Sequence, residues 1–274
     1  MVDLHVHSTA SDGTKSPAEL VQMACALGLC ALAITDHDTV DGIGEGEEEA
    51  RRLGLDFLCG VELSVEYERD AVTHILGYFA GRHVLQITSW LEWILEKRDE
   101  RNRNLLLNLR GAGYLVSEEE LADKAGDGTP GRPHVAALLM EKGYADSQED
   151  AFNRILNRRD IHVKREKTTP ETAIRAILEW GGVPVLAHPV YLEKDNLLPK
   201  ALDAFTSLGL KGLEAYHSDH TKADTRRYLG LAKRHGLLVT GGSDYHGDIK
   251  SGIHLGGQSV PDACYHAVRA CLEP

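Results

Sequence analysis

The chain has 274 residues, 42% of them hydrophobic and 26% charged, with 42 acidic against 30 basic side chains and a formal net charge of −12. That is enough apolar material for one large core, and the excess of acid excludes a protein that coats duplex nucleic acid through a basic surface. A short or terminal nucleotide engaged through bound cations stays compatible, because the ions would supply the missing positive charge.

Residues 2–7 read as a strand that ends in polar residues. Ser16-Pro17-Ala18-Glu19 then opens a helix: Ser16 can cap, Pro17 suits the first turn, and Glu19 closes a capping box. Gly28 stops it. A second buried strand is expected over 31–35, a helix over 42–53, and further strands over 57–65 and 72–79. This alternation implies a parallel sheet with helices outside.

From about Val84 to Arg165 the periodicity is helical and no strand is convincing. Trp90, Leu91, Ile94 and Leu95 mark the inner face of one helix. Its charged continuation, Glu96 to Arg103, reads as a solvated face. Shorter helices are expected over 118–124, 134–142 and 148–157. The strand–helix rhythm then returns, with strands over 183–187, 212–216 and 237–240 and helices over 170–180, 197–208, 222–235 and 263–272. The economical division is a first barrel part (1–82), an all-helical insertion that caps the substrate (83–165) and a second barrel part (166–274).

Five cysteines (Cys25, Cys30, Cys59, Cys264, Cys271) form no CxxC pair and read as buried free thiols of a reducing compartment. The first residues carry no leader-type pattern, and no apolar run reaches the ~20 residues of a membrane span. A cytoplasmic location follows, with no membrane and no obligate protein partner.

Ligand-type residues recur just after strands: His5 and His7, then His37, Glu62, His74, His188, Asp244 and His246. In a parallel barrel the strand ends converge on one face, where active sites are built. His5-x-His7 puts two imidazoles on one side of a strand, and Asp244-x-His246 repeats the spacing. Each pair alone is a weak signal. Glu62 inside the apolar strand Gly60-Val61-Glu62-Leu63 is stronger, because a buried carboxylate is costly without a metal or a salt bridge. His74 alone reads as a core histidine, and His188-Pro189 alone as a structural turn.

Asp3-Leu4-His5-Val6-His7-Ser8, Ser11-Asp12-Gly13, Ile34-Thr35-Asp36-His37-Asp38, Gly60-Val61-Glu62, His74-Ile75-Leu76-Gly77, Ala187-His188-Pro189 and Gly242-Ser243-Asp244-Tyr245-His246 together resemble the polymerase-and-histidinol-phosphatase (PHP) family. The resemblance implies an α/β fold, a distorted seven-unit TIM-like barrel, with a trinuclear metal site. It implies one ion held by His5, His7, Glu62 and Asp244, a second sharing Glu62 and adding His74 and His188, and a third held by Asp12, His37 and His246. Asp12 stands where some relatives have histidine. Up to three divalent ions are implied: manganese first, with zinc or iron also suited to N/O ligation. They would activate a water for in-line attack on phosphorus. Glu62, Asp244, His188 and His220 are the candidate catalytic residues.

Within the family, the insertion and Gly131-Arg132-Pro133-His134 look like the branch acting on 3′,5′-nucleoside bisphosphates and on the 5′ ends of short oligoribonucleotides. Arg132 would fork onto a phosphate and His134 would bind or protonate it. Ser218 and His220 are weaker phosphate contacts, and Lys164 and Arg165 weaker still. The rival readings are another PHP phosphomonoesterase such as a histidinol-phosphate phosphatase, an amidohydrolase-type hydrolase, and a catalytically silent module.

Overall fold

The computed structural model describes every residue except 69–70, 127, 165, 193–195, 250–251 and 273–274, so Arg165 lies outside the described residues. Seven strands pair in sequence order: β1 (Val2–Val6), β2 (Ala31–Ile34), β3 (Asp56–Glu66), β4 (Val72–Phe79), β5 (Val183–Leu186), β6 (Gly212–Tyr216) and β7 (Leu238–Gly241). Beyond β7 the chain turns onto β1. The Asp244 N–H donates to the His5 carbonyl at 2.8 Å, and the His7 N–H to the Tyr245 carbonyl at 2.9 Å. The result is a nearly closed barrel.

Its parallelism is incomplete. β4 runs antiparallel to both β3 and β5, whereas the other neighbours are parallel. The uniformly parallel sheet expected from the strand–helix rhythm is therefore corrected. The chain passes from Glu66 to Val72 with too few residues for a crossover, since a parallel connection needs a dozen or more. The reversal puts the beginning of β4, and so His74, at the end of the barrel where the other strands finish.

Helices α1 (Pro17–Ala26) and α2 (Ile43–Leu53) pack outside the first strands. The capping box of α1 forms as its sequence dictates: Ser16 accepts from the Glu19 N–H and Glu19 from the Ser16 N–H. Between β4 and β5 the described regular structure is helical: a 3₁₀ turn (Gly81–Ile87), α3 (Thr88–Gly111), α4 (Glu118–Ala125), α5 (Arg132–Glu141) and α6 (Gln148–Asp150). The helix expected over 148–157 continues from α6 as a π-helix, Ala151–Leu156. These elements share a core of their own, with Leu105, Leu109, Leu121, Val135, Leu139 and Ile155 buried against one another. After them come α7 (Pro170–Glu179), α8 (Leu197–Ser207), α9 (Lys222–His235) and α10 (Asp262–Leu272).

All five cysteines are free, but only Cys59 and Cys264 are buried; Cys25 is half-buried, and Cys30 and Cys271 are exposed. The expectation of five buried thiols is corrected accordingly. Among the described residues no helix is long and apolar enough to cross a membrane.

Candidate metal centre

The strand ends bring nine sequence-predicted ligands to one end of the barrel as three overlapping groups. In the first, His5 Nε2 and His7 Nε2 lie 3.3 Å apart. Glu62 puts Oε1 3.4 Å from the former and Oε2 3.2 Å from the latter, and Asp244 Oδ1 lies 3.6 and 3.2 Å from them. In the second, Glu62 Oε1 lies 2.8 Å from His74 Nδ1 and 2.9 Å from His188 Nε2, which are 3.1 Å from each other. In the third, Asp12 Oδ1 lies 3.4 Å from His246 Nε2, and Asp12 Oδ2 lies 3.9 Å from His37 Nε2. His37 is shared between groups, because its Nδ1 sits 2.9 Å from Glu62 Oε2.

Buried carboxylates outside the ligand set hold this arrangement. Asp3 accepts from the Ser243 and Gly256 N–H groups, at 2.9 and 2.8 Å, and so ties the two ends of the chain together beside Asp244. Asp36 accepts from the Ser8 N–H and from the hydroxyls of Ser8 and Ser11, which fixes the loop carrying Asp12. Gly242 is required here, since a Cβ would lie 2.4 Å from the His5 nitrogen. Two candidate ligands have left-handed backbone, His188 at φ +22° and Asp244 at φ +53°. Such strain costs about 1–3 kcal/mol per residue and persists where surrounding bonds enforce it.

The residues present fit divalent cations. An ion with bonds near 2.1 Å places adjacent donors about 3.0–3.4 Å apart in octahedral or tetrahedral geometry, and the separations in the two tightest groups, from 2.8 to 3.6 Å, bracket that spacing. The inward atoms His37 Nδ1 and Glu62 Oε2 are buried without a hydrogen-bond partner. The donors are imidazole and carboxylate with no thiolate, a set that suits manganese, zinc or iron. Burial takes the His74 imidazole down to about 3 against the pull of Glu62, which leaves it neutral and able to donate a lone pair. Burial also opposes ionisation of Glu62, yet the neighbouring imidazoles His37 and His5 hold its carboxyl well below the usual range.

A cleft of about 610 Å³ opens beside these groups, lined by Asp12, His37 and His74 and by Arg98, Arg101 and Arg132. The arginines correct the reading of residues 96–103 as a wholly solvated face. Arg98, Arg101 and Asn102 are buried and continue the inner stripe of α3 from Leu91 and Ile94. Arg98 donates to Asp38 Oδ2 at 2.6 Å. Arg132, at the first turn of α5, lies over the Phe152 ring at 4.8 Å and donates to Asn157.

Of the other expected phosphate contacts, Lys164 lines the same cleft, whereas His134, Ser218 and His220 lie elsewhere. His134 lines a neighbouring cleft, and its Nδ1 accepts from the Gly131 N–H at 3.1 Å, so its proton sits on Nε2. His220 is part-buried behind His217, with ring centroids 5.1 Å apart, and its Nδ1 donates to the Ala215 carbonyl. The Ser218 hydroxyl is buried without a hydrogen-bond partner. Lys164 pairs with Glu66 at 2.6 Å.

Two residues of the centre escaped sequence reasoning. Glu214, fully buried in β6, has Oε1 2.9 Å from His5 Nδ1 and Oε2 2.7 Å from the His188 N–H. His217, one residue past β6, faces Asp244 Oδ2 at 3.6 Å. The same two signals that marked the others apply to both: a carboxylate inside an apolar strand, and a histidine at a strand end.

Residues 3–149 match the PHP domain family. The chain is 35% identical over 262 residues to a phosphoribosyl 1,2-cyclic phosphate 1,2-diphosphodiesterase of Eggerthella lenta, covering 93% of this chain and 97% of that protein. It is 34% identical to a 5′-3′ exoribonuclease of Haemophilus influenzae, covering 89% of each chain, and 31% identical to a 3′,5′-nucleoside bisphosphate phosphatase of Chromobacterium violaceum, covering 96% and 93%. Among solved structures, an inferred metal-dependent phosphoesterase of Bifidobacterium adolescentis superposes with TM-score 0.89 at 30% identity, over 100% of this chain and 96% of that one. An amidohydrolase of Chromobacterium violaceum, with bound sulfate and no metal, superposes with TM-score 0.87 at 29% identity, over 98% and 96%.

Proposed function

This chain belongs to the PHP family and is a metal-dependent phosphoesterase, and we propose that its substrate is a ribose carrying two phosphate groups. In the leading form of this reading it removes the 3′-phosphate of a 3′,5′-nucleoside bisphosphate to leave a 5′-nucleotide, or attacks the 5′ end of a short oligoribonucleotide. The observation that carries it is one cleft holding both ligand-type side chains and three arginines, in a chain with net charge −12.

Bound divalent ions would supply an acidified water as nucleophile and neutralise phosphate oxygens. His5, His7, Glu62 and Asp244 would hold one, His74 and His188 with Glu62 a second, and Asp12, His37 and His246 a third. The chain's own part is positioning. Arg132, steadied by Phe152 and Asn157, forks onto the phosphate that does not react, and Arg101 adds charge to the same wall. Such remote binding helps align the reacting phosphate.

A second reading has its own support. The Eggerthella relative acts on a phosphoribosyl 1,2-cyclic phosphate, which also carries a second phosphate on ribose. A panel on manganese-loaded protein separates the cases, using a 3′,5′-nucleoside bisphosphate, a short 5′-phosphorylated RNA, phosphoribosyl 1,2-cyclic phosphate, histidinol phosphate and an amide, with phosphate release read for the bisphosphate and histidinol phosphate and products separated by chromatography for the others. Turnover of the first two is expected. Efficient hydrolysis of histidinol phosphate or the amide, with the ribose substrates left intact, would overturn the proposal.

A further inference from the structure

Each imidazole in a metal cluster must offer a bare nitrogen, so something must hold the proton on the other one. For His5 that partner is unambiguous. Its Nδ1 lies 2.9 Å from Glu214 Oε1 and its Nε2 points into the first group, toward His7, Glu62 and Asp244. An ionised carboxylate only accepts, so Nδ1 donates and Nε2 keeps its lone pair.

The second oxygen of the same carboxylate is also committed. Glu214 Oε2 accepts the His188 N–H at 2.7 Å, where the backbone stands at φ +22°. That bond holds a conformation L-residues rarely adopt, and it aims His188 Nε2 at Glu62 in the second group. We infer that Glu214 is a positioning residue that locks His5 and His188, members of two different groups, through one carboxylate, an inference that rests on reading those histidines as ligands.

His217 extends the layer. Its Nδ1 accepts the Asp219 N–H at 3.1 Å, which places the proton on Nε2, the atom that faces Asp244 Oδ2. A protonated nitrogen cannot ligate, so the trio His5–His217–Asp244 is not a fourth ion site. β6 thus supplies the layer behind the ligands, and none of the nine ligands predicted from the sequence.

The test is Glu214→Gln, which keeps the shape and removes the double acceptor. The amide can satisfy only one anchor: its NH₂ must oppose either the His5 proton or the His188 N–H. Manganese affinity, read by titration calorimetry, is expected to fall about 10- to 100-fold at both groups together. Histidine ¹⁵N spectra of the metal-free wild type are expected to show His5 as the Nδ1–H tautomer, a reading that needs no variant to fold. An Nε2–H tautomer, or a folded variant that binds manganese with unchanged affinity, would overturn the role of Glu214. Weakening confined to one group would refute the coupling. Wild-type protein that takes up no manganese would remove the ligand reading and this inference with it.

Discussion

At the scale of single residues, the centre is a balance of buried charge in which each carboxylate faces several imidazoles. Glu62 is the common member, touching His5, His7, His37, His74 and His188. Glu62→Gln is therefore expected to lower bound manganese and phosphate release together, by at least about 100-fold, as read by metal analysis and a phosphate assay. Retained turnover would remove its bridging role. Arg98 makes a different kind of contact. It lies buried against Asp38 at 2.6 Å, and truncation would strand a buried carboxylate. Arg98→Ala should lower stability by about 3–5 kcal/mol in denaturant titration; a midpoint equal to wild type would show that the other partners of Asp38, Ser64 among them, suffice for it. Eight of the nine predicted ligands are legible as chemistry-bearing side chains at or near strand ends, whereas Asp12 comes only with the resemblance of Ser11-Asp12-Gly13 to a family motif. Glu214 and His217 carry the same marks, but His217 sits among Tyr216, Ser218 and His220, and nothing in one sequence says which of two neighbouring histidines turns inward.

At the scale of elements, strands and helices could be placed within a few residues because their apolar periods differ. Strand direction could not be read from period, since an alternating pattern is the same in both directions. Only the short join between Glu66 and Val72 carries it. The charged stretch of α3 was misread for a related reason: composition shows charge, whereas spacing shows the face. Arg98, Arg101 and Asn102 fall at the helical interval that continues Leu91 and Ile94 and leads on to Leu105. The cap helices therefore bring cations to a cleft whose floor is acidic. Arg132, at the start of α5, is the most direct test of that function. Arg132→Ala should reduce kcat/KM on a 3′,5′-nucleoside bisphosphate about 10- to 100-fold, the loss of one charged hydrogen-bonded contact, and leave a nucleoside monophosphate nearly unaffected. Equal losses on both substrates would mean that Arg132 shapes the cap and does not grip the second phosphate.

At the scale of the molecule, barrel closure and the metal centre are one event, because the segment after β7 meets the end of β1 through the backbones of His5, His7, Asp244 and Tyr245. Gly242→Ala pushes a methyl into His5. It should lower the melting temperature and manganese affinity together, whereas a surface change in α4 should move neither. Protons compete with ions for the same imidazoles, so binding strengthens as they deprotonate. The rise in melting temperature produced by manganese should therefore grow from about pH 6 to about pH 8 and be abolished by chelator; a rise independent of pH would argue against histidine ligation. The reversed fourth strand also sets an order of assembly. Glu62 and His74 are 12 residues apart and meet across a hairpin, whereas Asp3 and Ser243 are separated by 240. By loop-closure entropy the second junction costs roughly 2.7 kcal/mol more to form. Two of the three members of the second group are thus brought together by a local event, on the timescale of a hairpin. The first and third groups wait for the two ends of the chain to find each other, so capture of their ions would report that folding is complete.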